Sequence, residues 1–286
     1  FRLPLEKPLR PGGTLEVELE FAARLPKVFA RAGYAGPFAL VAQWFPKVGV
    51  YQDGAWNCHQ YHSTTEFFAD FGVYDVTLTV PHDGVVGATG VLREQRDNPD
   101  GTRTLHFVAE DVHDFAWTID PRFHVVEETV GDTHLRLLVQ PNHMGQAERY
   151  IAAARVALQH YEEWIGPYPY PQLTVVDPGP GGSRAGGMEY PTLITVATTW
   201  WMPRGLRLPE LVTVHEFGHQ YWYGMVASNE FEEAWLDEGI NSYVEGKIMD
   251  AADGPGSSVD VWGVRFDSVA LQRLRYIMSA QHDPMT

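Results

Sequence analysis

A change of hydrophobic period near residue 142 constrains what this chain can fold into more than any other feature. Before it, Leu15, Val17, Leu19 and Phe21 alternate with Glu16, Glu18 and Glu20, and Tyr74, Val76, Leu78 and Val80 repeat the pattern ahead of Pro81. Successive side chains of a strand point to opposite faces, so a period of two predicts half-buried strands there. Leu105, Phe107 and Leu135 to Val139 supply shorter candidates, and Pro11-Gly12-Gly13 and Asp97-Asn98-Pro99-Asp100-Gly101 read as turns between them. After Asn142, Ala147, Tyr150, Ile151, Ala154, Leu158, Tyr161 and Ile165 recur at intervals of three and four, the stripe of a long helix that Gly166 and Pro167 stop. Leu173 to Val176 and Leu193 to Val196 read as short strands on either side of a glycine-rich loop, Pro180 to Gly187. Further helices are expected to start near Pro209, Phe231 and Ser257. The expectation is an α+β chain: a β-rich domain over 1–130, incomplete at its start, then a mainly helical domain with a small sheet over 131–286.

The 286 residues suit two domains, and 44% hydrophobic with 13% aromatic residues is ample for a packed core. A net charge of −16 argues against nucleic acid as partner. It suits a cationic ligand such as an ammonium group, and a solvated acidic surface accounts for it as well. No run approaches the roughly 20 apolar residues of a membrane helix, so no membrane segment is expected; with no targeting segment in view, the expected location is cytoplasmic. The single cysteine, Cys58, cannot form an internal disulfide. Cys58-His59 with His62 makes a poor metal site, and none is assigned there.

The chemistry lies in the second half. His215-Glu216-Phe217-Gly218-His219 is an H-E-x-x-H motif inside an apolar segment, Leu211 to Tyr223, with Pro209-Glu210 as a helix start and Gly224 as a stop. Residues four apart project from one helix face, so both imidazoles can reach one ion while Glu216 flanks it. A hydrolytic zinc needs a third protein ligand and an open position for water. The metzincin pattern is excluded, because Trp222 and Met225 stand where it requires glycine and histidine. After eighteen intervening residues comes Glu238, and a helix, a turn and an antiparallel helix would return its carboxylate to the ion. The expected centre is one Zn2+ per chain on His215, His219 and Glu238, with Glu216 as general base.

The motif, its gap and Trp235-Leu236-Asp237-Glu238-Gly239 resemble the gluzincin aminopeptidases, the family of aminopeptidase N and the leukotriene hydrolase. Gly186-Gly187-Met188-Glu189-Tyr190 is similar to the family's glycine-x-methionine-glutamate-asparagine segment, with Tyr190 in place of asparagine. Gly166-Pro167-Tyr168-Pro169-Tyr170, Gln43-Trp44-Phe45-Pro46 and Asp114-Phe115-Ala116-Trp117 extend the likeness over nearly the whole chain.

The resemblance implies a thermolysin-like catalytic domain and an aminopeptidase that removes N-terminal residues from peptides, by attack of a zinc-bound water with Glu216 as base. It implies that Glu189 binds the substrate's α-amino group, within a substrate loop of Gly186, Gly187 and Met188 along which the peptide backbone lies, and that Gln43 contacts the amino end from the β domain. Asn241 and Ser242 are candidates to orient a ligand, while Asp237 is expected to point away. The family's oxyanion tyrosine has no match here: Tyr243 is too close to Glu238, Tyr276 reads as core, and the tyrosine is expected beyond Thr286, in a further C-terminal portion that this catalytic domain, truncated at that end, would lack. A thermolysin-like endopeptidase and a non-catalytic peptide-binding relative are the alternatives.

Overall fold

The computed structural model describes residues 2–27, 31–60, 66–182, 186–196, 201–256 and 258–278. The first half holds short antiparallel strands in separate sheets. In the longest ladder, Gly72–Pro81 pairs with Thr102–Val112, which pairs on its other edge with Val91–Asp97. The alternation Tyr74, Val76, Leu78, Val80 works as expected: Leu78 and Val80 are buried with Leu105, Phe107 and Phe115, while the residues between them face solvent. A second sheet joins Gly33–Ala35, Phe38–Val41, Trp117–Asp120 and Val85–Ala88 in that spatial order.

The second half is built on a mixed sheet. His124–Val130 and Thr133–Val139 form a hairpin turning at Gly131-Asp132, and Gln172–Val176 and Leu193–Thr195 add in parallel. The expected boundary at 130/131 therefore falls in a hairpin turn, and the change of period near 142 falls in the 3-10 turn Pro141–Gln146 that leads into the long helix. The long helix, Ala147–Trp164, is the crossover between the parallel strands 133–139 and 172–176. Its stripe buries Tyr150, Ile151, Ala154, Leu158 and Tyr161 against Leu135, Leu137, Val175 and the helix Leu208–Trp222. Ile165 lies beyond the stripe and is exposed. No helix among the described residues is long and apolar enough to cross a membrane.

Three expectations are corrected. Residues 14–21 form no strand: they make no ladder, and Leu15, Val17, Leu19 and Phe21 are each 45–49% exposed. Alternation selects a face, but a strand also needs a neighbour for its N–H and C=O groups. The helix expected near Phe231 begins instead with a π-helical turn, Trp235–Gly239, that runs on into Ile240–Asp253. In place of a helix from Ser257, which lies outside the described residues, a hairpin of Val259–Val261 and Val264–Phe266 precedes the helix Ser268–Met278.

The halves meet through polar and aromatic contacts. Tyr170 Oη donates to the Asp111 carbonyl at 2.7 Å, Gln172 Nε2 to the Gly90 carbonyl at 2.8 Å, and Tyr223 Oη to the Phe67 carbonyl at 2.8 Å. His113 lies against Tyr223 with ring centroids 4.1 Å apart, and burial, helped by Lys47, pushes its pKa down to about 3. The sign follows: the folded state holds His113 neutral, while the unfolded chain takes a proton near pH 6.5, so the stability difference is absent above about pH 6.5 and grows as a loss down to about pH 3. We expect the pH dependence of the unfolding free energy from urea titrations between pH 6.5 and 4 to flatten in His113→Gln, by up to ~1.4 kcal/mol per pH unit. An unchanged slope would show that His113 already titrates normally in the fold.

Candidate metal centre

The helix Leu208–Trp222 carries Pro209 and Glu210 in its first turn, where a missing N–H and a negative charge are favourable. One turn further on, His215 and His219 project toward each other with their Nε2 atoms 3.2 Å apart. Glu238 Oε2 stands 3.2 Å from the first and 3.9 Å from the second. Ligands arranged tetrahedrally about 2.0–2.1 Å from a zinc ion are separated by about 3.3 Å, so this triangle fits one ion. Glu238 is half exposed, which leaves one side of the triangle open to solvent.

The other ring nitrogens explain the orientation. His215 Nδ1 meets Glu245 Oε2 at 3.0 Å, and His219 Nδ1 forms a short hydrogen bond with Asp237 Oδ1. Nδ1–H on both rings leaves the two Nε2 lone pairs converging on one point, the arrangement of a carboxylate–histidine–metal relay. Asp237 is thus corrected: it is fully buried beside His219 and does not point away. It and Glu238 lie in the π-helical turn that packs against the H-E-x-x-H helix.

Burial opposes charge on the histidines, but their carboxylates outweigh it and push His215 up to about 11 and His219 up to about 9. Glu238, although partly desolvated, is held at about 2 by the two imidazoles. The corner attracts positive charge, and a divalent cation at the converging nitrogens would satisfy it.

Asn241 joins the support as expected, donating to the His215 carbonyl at 2.8 Å and accepting from Tyr161 Oη at 3.2 Å. Gly218 makes room for that contact, since a Cβ there would stand 1.9 Å from Asn241 Oδ1 and 2.3 Å from Tyr161 Oη.

Glu216 is buried on the flank, and desolvation, opposed by the imidazoles, raises its pKa to about 7. Gly187 faces it: a Cβ there would lie 2.1 Å from Glu216 Oε1, so the glycine expected to admit a substrate backbone first of all admits this carboxylate. The loop is tied to the sheet edge by Met188 and Thr195, which exchange backbone hydrogen bonds, and by Thr195 Oγ1 donating to the Gly186 carbonyl at 2.7 Å. Residues 183–185 of the expected glycine-rich loop lie outside the described residues.

Glu189 is buried nearby, its pKa raised well above the usual range, first by desolvation and then by Glu216 and Glu66, against the opposing His219. Met188 is enclosed among Phe38, Leu40 and Leu193, so its contacts are with the core and with Arg31 rather than with an open substrate channel. Tyr190, where the resemblance has asparagine, donates through Oη to the Arg31 carbonyl at 2.9 Å and so reaches the β half. Gln43 directs Nε2 to Asp114 Oδ2, which Lys47 also meets at 3.0 Å. Tyr243 and Tyr276 are both more than half exposed, which corrects the core reading of Tyr276. Cys58 is exposed and His59 pairs with Glu232; His62 lies outside the described residues.

Residues 151–283 match the family model of the peptidase family M1 domain. An aminopeptidase N of Acetobacter pasteurianus is 31% identical over 107 residues, covering 35% of this chain and 30% of that protein's length. The chain thus spans under a third of that relative's length.

The buried relay predicts that Asp237→Ala lowers zinc affinity about 10–100-fold, because His219 loses the group that orients it. Chelator competition on purified protein measures this directly; equal affinity in the variant would mean that His219 is not held by Asp237.

Proposed function

We propose, with the peptidase family M1 assignment of residues 151–283 as premise, that this chain is the zinc-bearing part of an aminopeptidase. In this reading the β-rich region precedes a thermolysin-like catalytic region starting near residue 131, and peptides with a free N-terminus are the substrates. The observation that carries it is the convergence of His215, His219 and Glu238 beside two further buried carboxylates, Glu216 and Glu189.

A zinc ion held by the three ligands would supply Lewis acidity at the scissile carbonyl and a polarised water. The chain's own residues do the rest. Glu216, with its carboxylate held in a dry niche against Gly187, takes the proton from the attacking water and returns it to the leaving amine. Its raised pKa suits a group that must both accept and donate near neutral pH. Glu189 accepts hydrogen bonds from the α-ammonium and so sets which bond lies over the metal, because a charge-assisted pair in a desolvated site is strong and directional. Asp237 and Glu245 hold the imidazoles at fixed angles while charge develops.

Two experiments test this reading. Glu216→Gln should keep its zinc and lose about 10²- to 10⁴-fold in turnover, the usual contribution of general acid–base catalysis; undiminished turnover would mean that another group is the base. Glu189→Ala should lose at least about tenfold in kcat/KM for an amino-acid arylamide, the loss expected from removing a charge-assisted hydrogen bond, with zinc content unchanged. A wild-type protein that cleaves the N-acetylated arylamide as fast as the free amine would point to an endopeptidase instead.

A further inference from the structure

The H-E-x-x-H helix holds the loop before strand 193–195 through a side chain that the metal centre does not use. Gln220, next to His219 and only 1% exposed, accepts the Thr192 N–H at 2.7 Å through Oε1. Its Nε2 donates to the Tyr190 carbonyl at 3.1 Å and to the Glu189 carbonyl at 3.4 Å. The amide fits only this way round, since flipping it would set N–H against N–H and oxygen against two carbonyls.

Thr192 holds the other end of this contact. Tyr190-Pro191-Thr192-Leu193 is a β-turn closed by the Leu193 N–H on the Tyr190 carbonyl at 3.0 Å, and Thr192, its third residue, lies in the left-handed region at φ +56°. Proline at the second place and a positive φ at the third match a type II turn, where glycine or asparagine is the ordinary third residue and a β-branched one is an outlier. Such a conformation persists only where its surroundings impose it. Here the carbonyl of Thr192 accepts the Thr174 N–H at 2.9 Å, and its hydroxyl accepts the Gly90 N–H at 2.8 Å and Gln172 Nε2 at 2.7 Å. The H-E-x-x-H helix, the mixed sheet and the β half therefore meet on one buried residue.

What this arrangement fixes is a spacing. Gly187 stands against Glu216, and Glu189 is near enough to His219 and Glu216 to feel their charge. The Met188–Thr195 bridge ties the loop to the sheet, while Gln220 ties its backbone directly to the helix that carries His215, Glu216 and His219. Resting on the aminopeptidase reading above, we propose that Gln220 and Thr192 are positioning residues that keep the loop 186–190 at a set distance from the metal ligands, so that the amino end of a substrate and its scissile carbonyl are met together. A misplacement of about 1 Å in such a pairing can cost about a hundredfold in rate.

The test uses the zinc-loaded full-length protein that contains this chain. Two inhibitors separate spacing from general damage: leucine hydroxamate addresses the metal and the loop, and isocaproyl hydroxamate is the same molecule without its amino group. Their dissociation constants, the zinc content and kcat/KM for an amino-acid arylamide are measured in wild type, Gln220→Met, Gln220→Glu, Thr192→Val and Thr192→Gly. Gln220→Met keeps the shape and loses the hydrogen bonds; it should weaken leucine hydroxamate and lower kcat/KM by about 10- to 100-fold, with isocaproyl hydroxamate and zinc unchanged. Gln220→Glu, which keeps the acceptor for Thr192, should fall in between. Thr192→Val loses the hydroxyl while the turn still demands a positive φ, so it should show the same selective loss. Thr192→Gly is at ease at positive φ and should recover most of it. A packing role alone predicts the reverse order, because glycine leaves a void. Equal weakening of both hydroxamates in Gln220→Met, or of neither, would overturn the proposal and leave the aminopeptidase reading standing. A wild type that binds the two hydroxamates alike and cleaves the N-acetylated arylamide as fast as the free amine would overturn that reading, and this proposal with it. Should Gln220→Met fail to fold, the Thr192 pair decides alone: tighter leucine hydroxamate binding in the glycine variant than in the valine variant supports the proposal, and equal or weaker binding overturns it.

Discussion

Everything at the centre depends on two buried carboxylates that hold two imidazoles from behind. With Nδ1 of His215 committed to Glu245 and Nδ1 of His219 to Asp237, the Nε2 lone pairs have nowhere to point but toward each other and Glu238. That requires the helix 240–253 to lie close against the H-E-x-x-H helix. Gly218 permits the approach, and the chain of hydrogen bonds from Trp222 through Tyr161 and Asn241 to the His215 carbonyl fixes it. A larger side chain at 218 would meet polar atoms that cannot withdraw without breaking that chain.

The price of such an arrangement is charge. Asp237, Glu216, Glu189 and Glu230 are all buried within reach of one another's fields, and burial is the first cause of the raised pKa of the last three. Isolated carboxylates in such surroundings would take up protons or draw in cations. Among the described residues the imidazoles are the nearest cations, and the geometry at their Nε2 atoms can receive a metal ion as well.

The region is also a joint between the two halves. Arg31, held by the Tyr190 hydroxyl, and Phe67, which receives Tyr223 at its carbonyl and gives its N–H to Glu230, bring the β half into the walls of the site. The departure at Tyr190 from the family segment therefore has a structural use: a longer side chain with a hydroxyl at its tip spans to the Arg31 backbone.

The sequence by itself determined most of the elements and the convergence of His215, His219 and Glu238. The stripe of 147–161, the alternation of 74–80, the H-E-x-x-H pair and the return of Glu238 were all legible, because helical and strand periodicities and the spacing of His215 and His219 are properties of consecutive residues. The tertiary structure alone decided the surroundings. Asp237 was read as pointing away because neighbours on a helix diverge, yet it meets His219 while Glu238 meets His215, a pairing that only the packing of the two helices decides. Residues 14–21 alternate without a ladder partner, and alternation cannot say whether a neighbour exists. Glu66 and Glu230 carried no signal in their own segments, since what sets them beside Glu189 is the packing of loops far apart in the chain. A lone glutamate has no period, and its role is settled only by which other charges share its burial.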